Sequence, residues 1–80
     1  MEPINYRVVE IIADVFNLES SQVQMDASPD TIEEWDSIQH LNIVLALEQE
    51  FHLQFSPEEI SEMLNVELIV MLIAEKLSKN

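Results

Sequence analysis

Residues 35–51 read WDSIQHLNIVLALEQEF, and this stretch has the periodicity of one amphipathic helix. Asp36 is a candidate N-cap, and Gln39, three residues later, completes the spacing of a capping box. The sequence therefore predicts a helix over 36–51. The apolar residues on its core face are Ile43, Val44, Leu47 and Phe51.

Three more helices are predicted on either side of this stretch, over 3–16, 57–63 and 66–78. Strand-type alternation is missing everywhere, and the chain contains no glycine. Its 80 residues suffice for one small domain, 1–80, with a modest core. We expect an all-α fold, a small four-helix bundle whose third helix is short.

Turn-forming residues and apolar residues alternate in a long connection over 18–35, between the first two helices. A connection of this length is unusual in a compact domain, and such loops are often functional or specially packed. Four apolar residues are expected to anchor it on the core: Val23, Met25, Ile32 and Trp35.

Capping patterns mark the starts of the last two helices. Ser56 and Glu59 form a second capping box, with Pro57 at the first helical position, and Asn65 is a plausible cap for the last helix. From 66 to 74 that helix is apolar on nearly every side except Glu67, so we expect it to be mostly buried. The methionines are expected to fill core gaps: Met25, Met63 and Met71.

A second apolar stripe runs along the helix over 36–51. Ile38, Leu41 and Leu45 fall on a different face from the core residues, and Glu48 continues their line by one turn. A helix packed against a single core needs one stripe only, so this one is a candidate surface for partner proteins. The alternative is that the third helix or the long loop covers it.

Ser37 stands at the entrance of the same helix, where unpaired N–H groups suit a polar or anionic attachment. A serine there is often a simple N-cap, but Asp36 can take that role and leave the hydroxyl free. Nucleophilic catalysis would need a base. His40 lies one turn away and points nearer the core face, His52 follows the helix, and no third group completes a triad. The sequence predicts no catalytic residue.

The formal net charge of -13 excludes several classes of partner. Arg7, Lys76 and Lys79 are the only fixed cations, so binding to nucleic acid or to anionic membranes is disfavoured. Attraction to basic patches on other proteins remains, as does the simpler interpretation that acidity only keeps a monomer soluble. Carboxylates cluster without the spacing of a metal loop, so no metal site is predicted at Asp30, Glu33, Glu34 and Asp36.

The chain has no cysteine, which rules out a disulfide framework and thiolate chemistry of its own. No stretch is long and apolar enough to cross a bilayer, and the N-terminus lacks a signal-peptide pattern. We expect a cytoplasmic protein, or a plastid or mitochondrial one after processing.

Asp36, Ser37 and Ile38, followed by the LEQEF ending over 47–51, resemble the acyl carrier protein family. The signature of that family is Asp-Ser-Leu at the start of its second helix, and a Leu-Glu-Glu-Glu-Phe ending is typical of it. The resemblance extends to the long first loop and the short third helix, and so covers nearly the whole chain.

The resemblance implies a non-catalytic carrier. Ser37 would be esterified to 4'-phosphopantetheine, taken from coenzyme A by a separate phosphopantetheinyl transferase, with Asp36 as the flanking residue of the motif. The thiol of this group would carry acyl intermediates as thioesters. Partners would be acyl-loading, condensing and modifying enzymes of fatty-acid or polyketide-type biosynthesis with basic docking patches. They would bind at Ile38, Leu41, Leu45 and Glu48, and the apolar interior would shelter the acyl chain.

The chain departs from the family at four positions. Ile38 replaces the usual Leu, and Trp35 stands where many fatty-acid carriers have a small residue. Gln39 and Asn42 occupy positions that are often acidic in the family. These departures favour a free-standing carrier of a specialised pathway. An aminoacyl or peptidyl carrier, or an acidic helical interaction module whose serine is never modified, are the alternatives.

Overall fold

In the computed structural model, which describes residues 4–78, helices account for most of the chain, and this range contains no strand. The helices, in chain order, are α1 (Ile4–Phe16), α2 (Ser37–Phe51), α3 (Pro57–Ser61) and α4 (Val66–Ser78). A short 3-10 turn, Ser20–Gln22, interrupts the long connection. The predicted all-α, four-helix architecture is confirmed. Pro3 and Lys79 lie outside the described residues.

Helix α3 ends two residues before its predicted limit at 63. The backbone N–H of Glu62 bonds to the carbonyls of Glu59 and Ile60, which tightens the last turn. The chain then turns inward and places Met63 in the core, with 2% of its surface exposed. The helix thus ends before 63 because burying the Met63 side chain is more favourable than extending the helix.

One apolar core joins all the long helices, with α1 packed against both α2 and α4. Ile43, Val44 and Leu47 of α2 are buried as predicted, whereas Phe51 is half-buried at the edge. The core-facing stripe of α2 is thus buried, whereas Ser37 and Ile38, at the start of the helix, are exposed to solvent.

The long connection lies along the ends of α2 and α4. Val23, Ile32 and Trp35 are buried, as predicted, and Met25 is half-buried. Two backbone hydrogen bonds fix this segment to the start of α4: Val66 N–H to Ala27 O at 3.0 Å and Glu67 N–H to Met25 O at 2.8 Å. Loop and helix therefore support each other, and Trp35 is brought against the entrance of α2.

Side chains cap the helix starts largely as predicted. Asp36 accepts the Gln39 N–H, and Asn65 accepts the Leu68 N–H. The reciprocal half of the first capping box is not formed, because the Asp36 N–H donates to the Glu34 carbonyl instead.

The capping box of α3 is complete, since Ser56 accepts from the Glu59 N–H and Glu59 from the Ser56 N–H. At the opposite ends of α1 and α2, Asn17 and His52 take up left-handed backbone conformations, with φ of 59° and 55°.

The prediction that α4 is mostly buried is wrong on one side. Val66, Ile69 and Ile73 enter the core, but Leu68 and Met71 are exposed. The bundle covers α4 from one direction only, so an all-round apolar helix must leave one face in solvent. Met71, at 58% exposure, therefore fills no core gap, unlike Met63.

Candidate functional site

Ser37 occupies the first position of α2, and its side chain is exposed. The N-cap role belongs to Asp36, whose Oδ1 accepts the Gln39 N–H at 2.9 Å. Within residues 4–78 the Ser37 hydroxyl makes no hydrogen bond, and the N–H groups of Ser37 and Ile38 have no acceptor. The hydroxyl is thus free for an attachment, beside donors that suit an anionic group.

An open cleft of about 860 Å³ begins beside Ser37. The long connection, α2, α3 and the segment after α3 each provide part of its wall. Its apolar lining includes Trp35, Leu41, Ile60, Met63 and Leu64, and carboxylates of Asp30 and Asp36 lie at the same cleft. A flexible group attached at Ser37 would have this cleft within reach.

His40 connects three elements around the cleft. Its Nδ1 accepts the indole N–H of Trp35 at 2.9 Å, and its Nε2 lies 3.1 Å from the Ile60 carbonyl. Because an indole N–H can only donate, Nδ1 is the unprotonated nitrogen, and the N–H at Nε2 donates to Ile60. Both ring nitrogens are engaged, so His40 has no free position for taking a proton from Ser37.

Trp35 is packed from two sides, which fixes the loop that leads into α2. Its ring centroid lies 5.6 Å from that of Phe16, and 6.1 Å from that of His40, whose ring lies beside it at the end of the N–H···N hydrogen bond. The sequence pattern indicated that Trp35 anchors the loop, but not that it bonds to His40. The separation of five residues fits no helical pairing, so only the fold could reveal this contact.

The second stripe of α2 is exposed, and neither α3 nor the loop covers it. Ile38, Leu41 and Leu45 expose 71%, 53% and 57% of their surfaces. Glu48 is half-buried, and its Oε2 accepts the Phe55 N–H at 2.9 Å, so it also fixes the turn before α3. We call Ile38, Leu41 and Leu45 the α2 face. That it binds partners remains a prediction.

Gln39 and Asn42 lie beside the α2 face, and both side chains are uncharged. The Asn42 Nδ2–H donates to Gln39 Oε1 at 2.8 Å, forming a neutral pair on the surface of the helix. The first turn of α2 itself bears no acidic residue. The charge around Ser37 therefore comes from the preceding loop.

The cations of residues 4–78 lie in ion pairs away from Ser37. Arg7 donates two hydrogen bonds to Glu50, at 2.8 and 3.0 Å, and this guanidinium lowers the pKa of Glu50. Lys76 contacts both carboxylate oxygens of Glu59 at 2.9 Å. The acidic loop before α2 is left without a neighbouring cation.

No cluster of metal-ligating side chains occurs in the described part of the chain. Its helices are also all too short or too polar to cross a membrane.

No protein-family model matches the chain. It is 33% identical over 72 residues to an acyl carrier protein of Petrotoga mobilis (strain DSM 10674 / SJ95), and the match covers 90% of this chain and 85% of that protein. The chain belongs to the acyl carrier protein family. The solution NMR structure of a holo acyl carrier protein from Geobacter metallireducens superposes on it with a TM-score of 0.86. That match has 27% identity and covers 98% of this chain and 90% of the other.

Membership confirms the resemblance noted in the sequence. Acyl carrier proteins are carriers without catalytic activity, so this chain has a carrier role and is not an enzyme.

Proposed function

We propose that the chain carries acyl intermediates as thioesters on a 4'-phosphopantetheine group attached to Ser37. The observation that carries this proposal is the exposed Ser37 hydroxyl, free of hydrogen bonds within the described residues while Asp36 caps the helix. Tethering removes much of the entropic cost of bringing a substrate to each enzyme in turn.

The start of α2 fits a phosphodiester on Ser37 Oγ. The free N–H groups of Ser37 and Ile38 point along the axis of a 15-residue helix, whose positive end favours an anion. Asp36 directs one carboxylate oxygen to the Gln39 N–H and so leaves these two donors available. During attachment Ser37 Oγ would form a bond to the pantetheine-bearing phosphorus of coenzyme A as the pyrophosphate P–O bond breaks. Adenosine 3',5'-bisphosphate would leave, and a base of the transferase would take the serine proton.

The cleft beside Ser37 supports an acyl cargo. Its walls include the apolar side chains of Trp35, Ile60 and Met63, which offer a chain shelter from water. A second candidate, an aminoacyl or peptidyl cargo, draws support from Asp30, because its carboxylate at the same cleft would attract an ammonium group. Fatty-acid or polyketide-type enzymes are the proposed users of the acyl form.

The proposed docking residues are those of the α2 face together with Glu48. The apolar side chains lie in line beyond Ser37, so an enzyme that holds them also lies over the attachment point. A transferase and the loading, condensing and modifying enzymes would approach with basic patches, drawn by the net charge of -13. Monomeric behaviour and a cytoplasmic location stay predictions.

The attachment is tested by incubating the purified chain with coenzyme A and a broad-specificity phosphopantetheinyl transferase, then measuring the intact mass. We expect one phosphopantetheine adduct on the native chain and on Ser56→Ala, and none on Ser37→Ala. Ser56→Ala is the matched control because it also removes a hydroxyl at a helix start. An adduct that persists in Ser37→Ala would place the group on another residue and contradict the proposal. No adduct on the native chain would contradict it and favour an unmodified interaction module.

The cargo is tested by loading the native chain from acyl and aminoacyl forms of coenzyme A. Trp35 fluorescence and the NMR signals of the Met63 methyl group then report entry into the cleft. A response to the acyl form that grows with chain length supports acyl cargo. A response to the aminoacyl form alone, abolished by Asp30→Asn, supports the second candidate.

A further inference from the structure

Helix α4 presents to solvent a row of large apolar side chains that the proposed carrier function does not use. Leu64, Leu68 and Met71 expose 64%, 37% and 58% of their surfaces. Leu68 and Met71, one turn apart, lie along one side of the helix, and Leu64 precedes its first residue, Val66. We call these three residues the α4 face.

Within residues 62–72 the exposed charged side chains are all carboxylates, those of Glu62 and Glu67. Lys76 is half-buried and paired with Glu59, and its Nζ lies 5.6 Å from the Phe55 ring centroid. An apolar row bordered by carboxylates is complementary to a surface that combines apolar and cationic side chains.

We propose that the α4 face binds a basic amphipathic helix of a partner protein, at a site distinct from the α2 face. Apolar side chains one helical turn apart, such as Leu68 and Met71, are the anchors by which helices pack against helices and grooves. Lysines or arginines beside the apolar stripe of the partner would meet the glutamates. A second copy of this chain fits poorly, since it would bring acidic surfaces together between molecules that each carry -13.

The two faces meet at the cleft and then diverge. Leu41 of the α2 face and Leu64 of the α4 face both line it, whereas Leu68 and Met71 lie outside its lining. The α4 face therefore leads away from Ser37, and a helix bound over Leu68 and Met71 leaves the attachment point accessible. A partner held there would keep the carrier close without competing for the α2 face.

A synthetic amphipathic peptide with a leucine stripe flanked by lysines is the probe. We expect it to shift the backbone amide NMR signals of Leu68 and Met71 in the full chain, and its affinity to fall as salt is added. The same leucine stripe flanked by glutamates should not bind. The double variant Leu68→Gln, Met71→Gln should weaken binding of the basic peptide at least tenfold, as loss of interface anchors commonly does.

The matched variant Ile38→Gln, Leu45→Gln changes two exposed apolar residues of the α2 face. It should leave peptide binding within about twofold of the native value while slowing modification by the transferase. The α4 variant should show the reverse pattern, with modification unchanged. Its melting temperature should fall slightly, because Leu68 exposes only 37% of its surface.

Three results would overturn the inference: peptide shifts confined to the α2 face, equal loss of binding in both double variants, or slower modification in the α4 variant. Self-association of the native chain that Met71→Gln abolishes would assign the face to a second copy instead. Peptide binding does not require Ser37. The peptide experiments therefore test this inference even when Ser37 is not modified.

Discussion

Ser37 and Ser56 stand at the starts of successive helices, and their hydroxyls have opposite surroundings. Ser56 is itself the N-cap of α3, and its Oγ accepts the Glu59 N–H at 3.1 Å. Ser37 lies one position further into α2, because Asp36 takes the capping role there. The comparison shows that a helix-start serine becomes available for chemistry when a neighbouring residue satisfies the backbone in its place.

The two helix starts are also physically joined through His40, which bonds to Trp35 just before α2 and to Ile60 within α3. Removing either hydrogen bond should therefore affect both helix starts.

His40→Leu is expected to lower the free energy of unfolding by about 1–3 kcal/mol, because it leaves the buried Trp35 indole N–H without an acceptor. Chemical denaturation measures the loss. The double variant Trp35→Phe, His40→Leu removes donor and acceptor together and should show a coupling between the two changes. Strictly additive effects would show that the hydrogen bond contributes nothing. Gln49→Leu, at an exposed position of α2, serves as the control.

Ser56→Ala should cost about 1 kcal/mol of stability, the usual contribution of an N-cap, whereas Ser37→Ala should cost close to nothing. Thermal or urea unfolding of the two variants, made in parallel, tests the contrast directly. A loss in Ser37→Ala as large as that in Ser56→Ala would mean that Ser37 caps α2 in solution and that Asp36 does not.

The start of α3 should depend on pH through Glu59. The Ser56 backbone N–H and Lys76 both hold the pKa of Glu59 below its ordinary value of 4.5. A carboxyl with a lowered pKa adds stability that is complete above 4.5 and is lost as the pH falls through the lower folded value. In Glu59→Gln this component should vanish, so the gap in melting temperature between native and variant should narrow below pH 4.5. An unchanged gap would contradict the assignment.

Salt should raise the melting temperature at neutral pH, although it weakens the Lys76–Glu59 pair. Within residues 4–78 the cations pair with Glu50 and Glu59 and not with the acidic loop before α2, and the chain as a whole carries -13. Relief of repulsion therefore outweighs the loss. Calorimetry across a salt series measures the shift. A melting temperature that stays level or falls would show that self-repulsion is not dominant.

Periodicity and caps were enough to predict the long helices, because these features are local. The buried stripe of α2, the Asp36 cap and the capping box of α3 each depend on residues within one or two turns. The availability of Ser37 followed from the same local reasoning, since a cap one residue earlier frees the hydroxyl. The four-helix fold could therefore be anticipated from the sequence.

What sequence reasoning missed depends on contacts between distant segments. The carbonyls of Met25 and Ala27 accept N–H groups at the start of α4, and His40 reaches Ile60 from 20 residues away. Periodicity says nothing about such partners. The exposure of Met71 was missed for a related reason, because an apolar helix does not reveal how many neighbours the fold provides.

Asn17 and His52 hold the ends of α1 and α2 in a left-handed backbone conformation that a side chain makes costly, in a chain without a single glycine. The protein is thus less resistant to heat than its fold would allow. Glycine at either position is a route to a more heat-resistant protein. His52 is the safer choice, because it lies at the opposite end of α2 from Ser37, whereas Asn17 follows Phe16, which packs against Trp35.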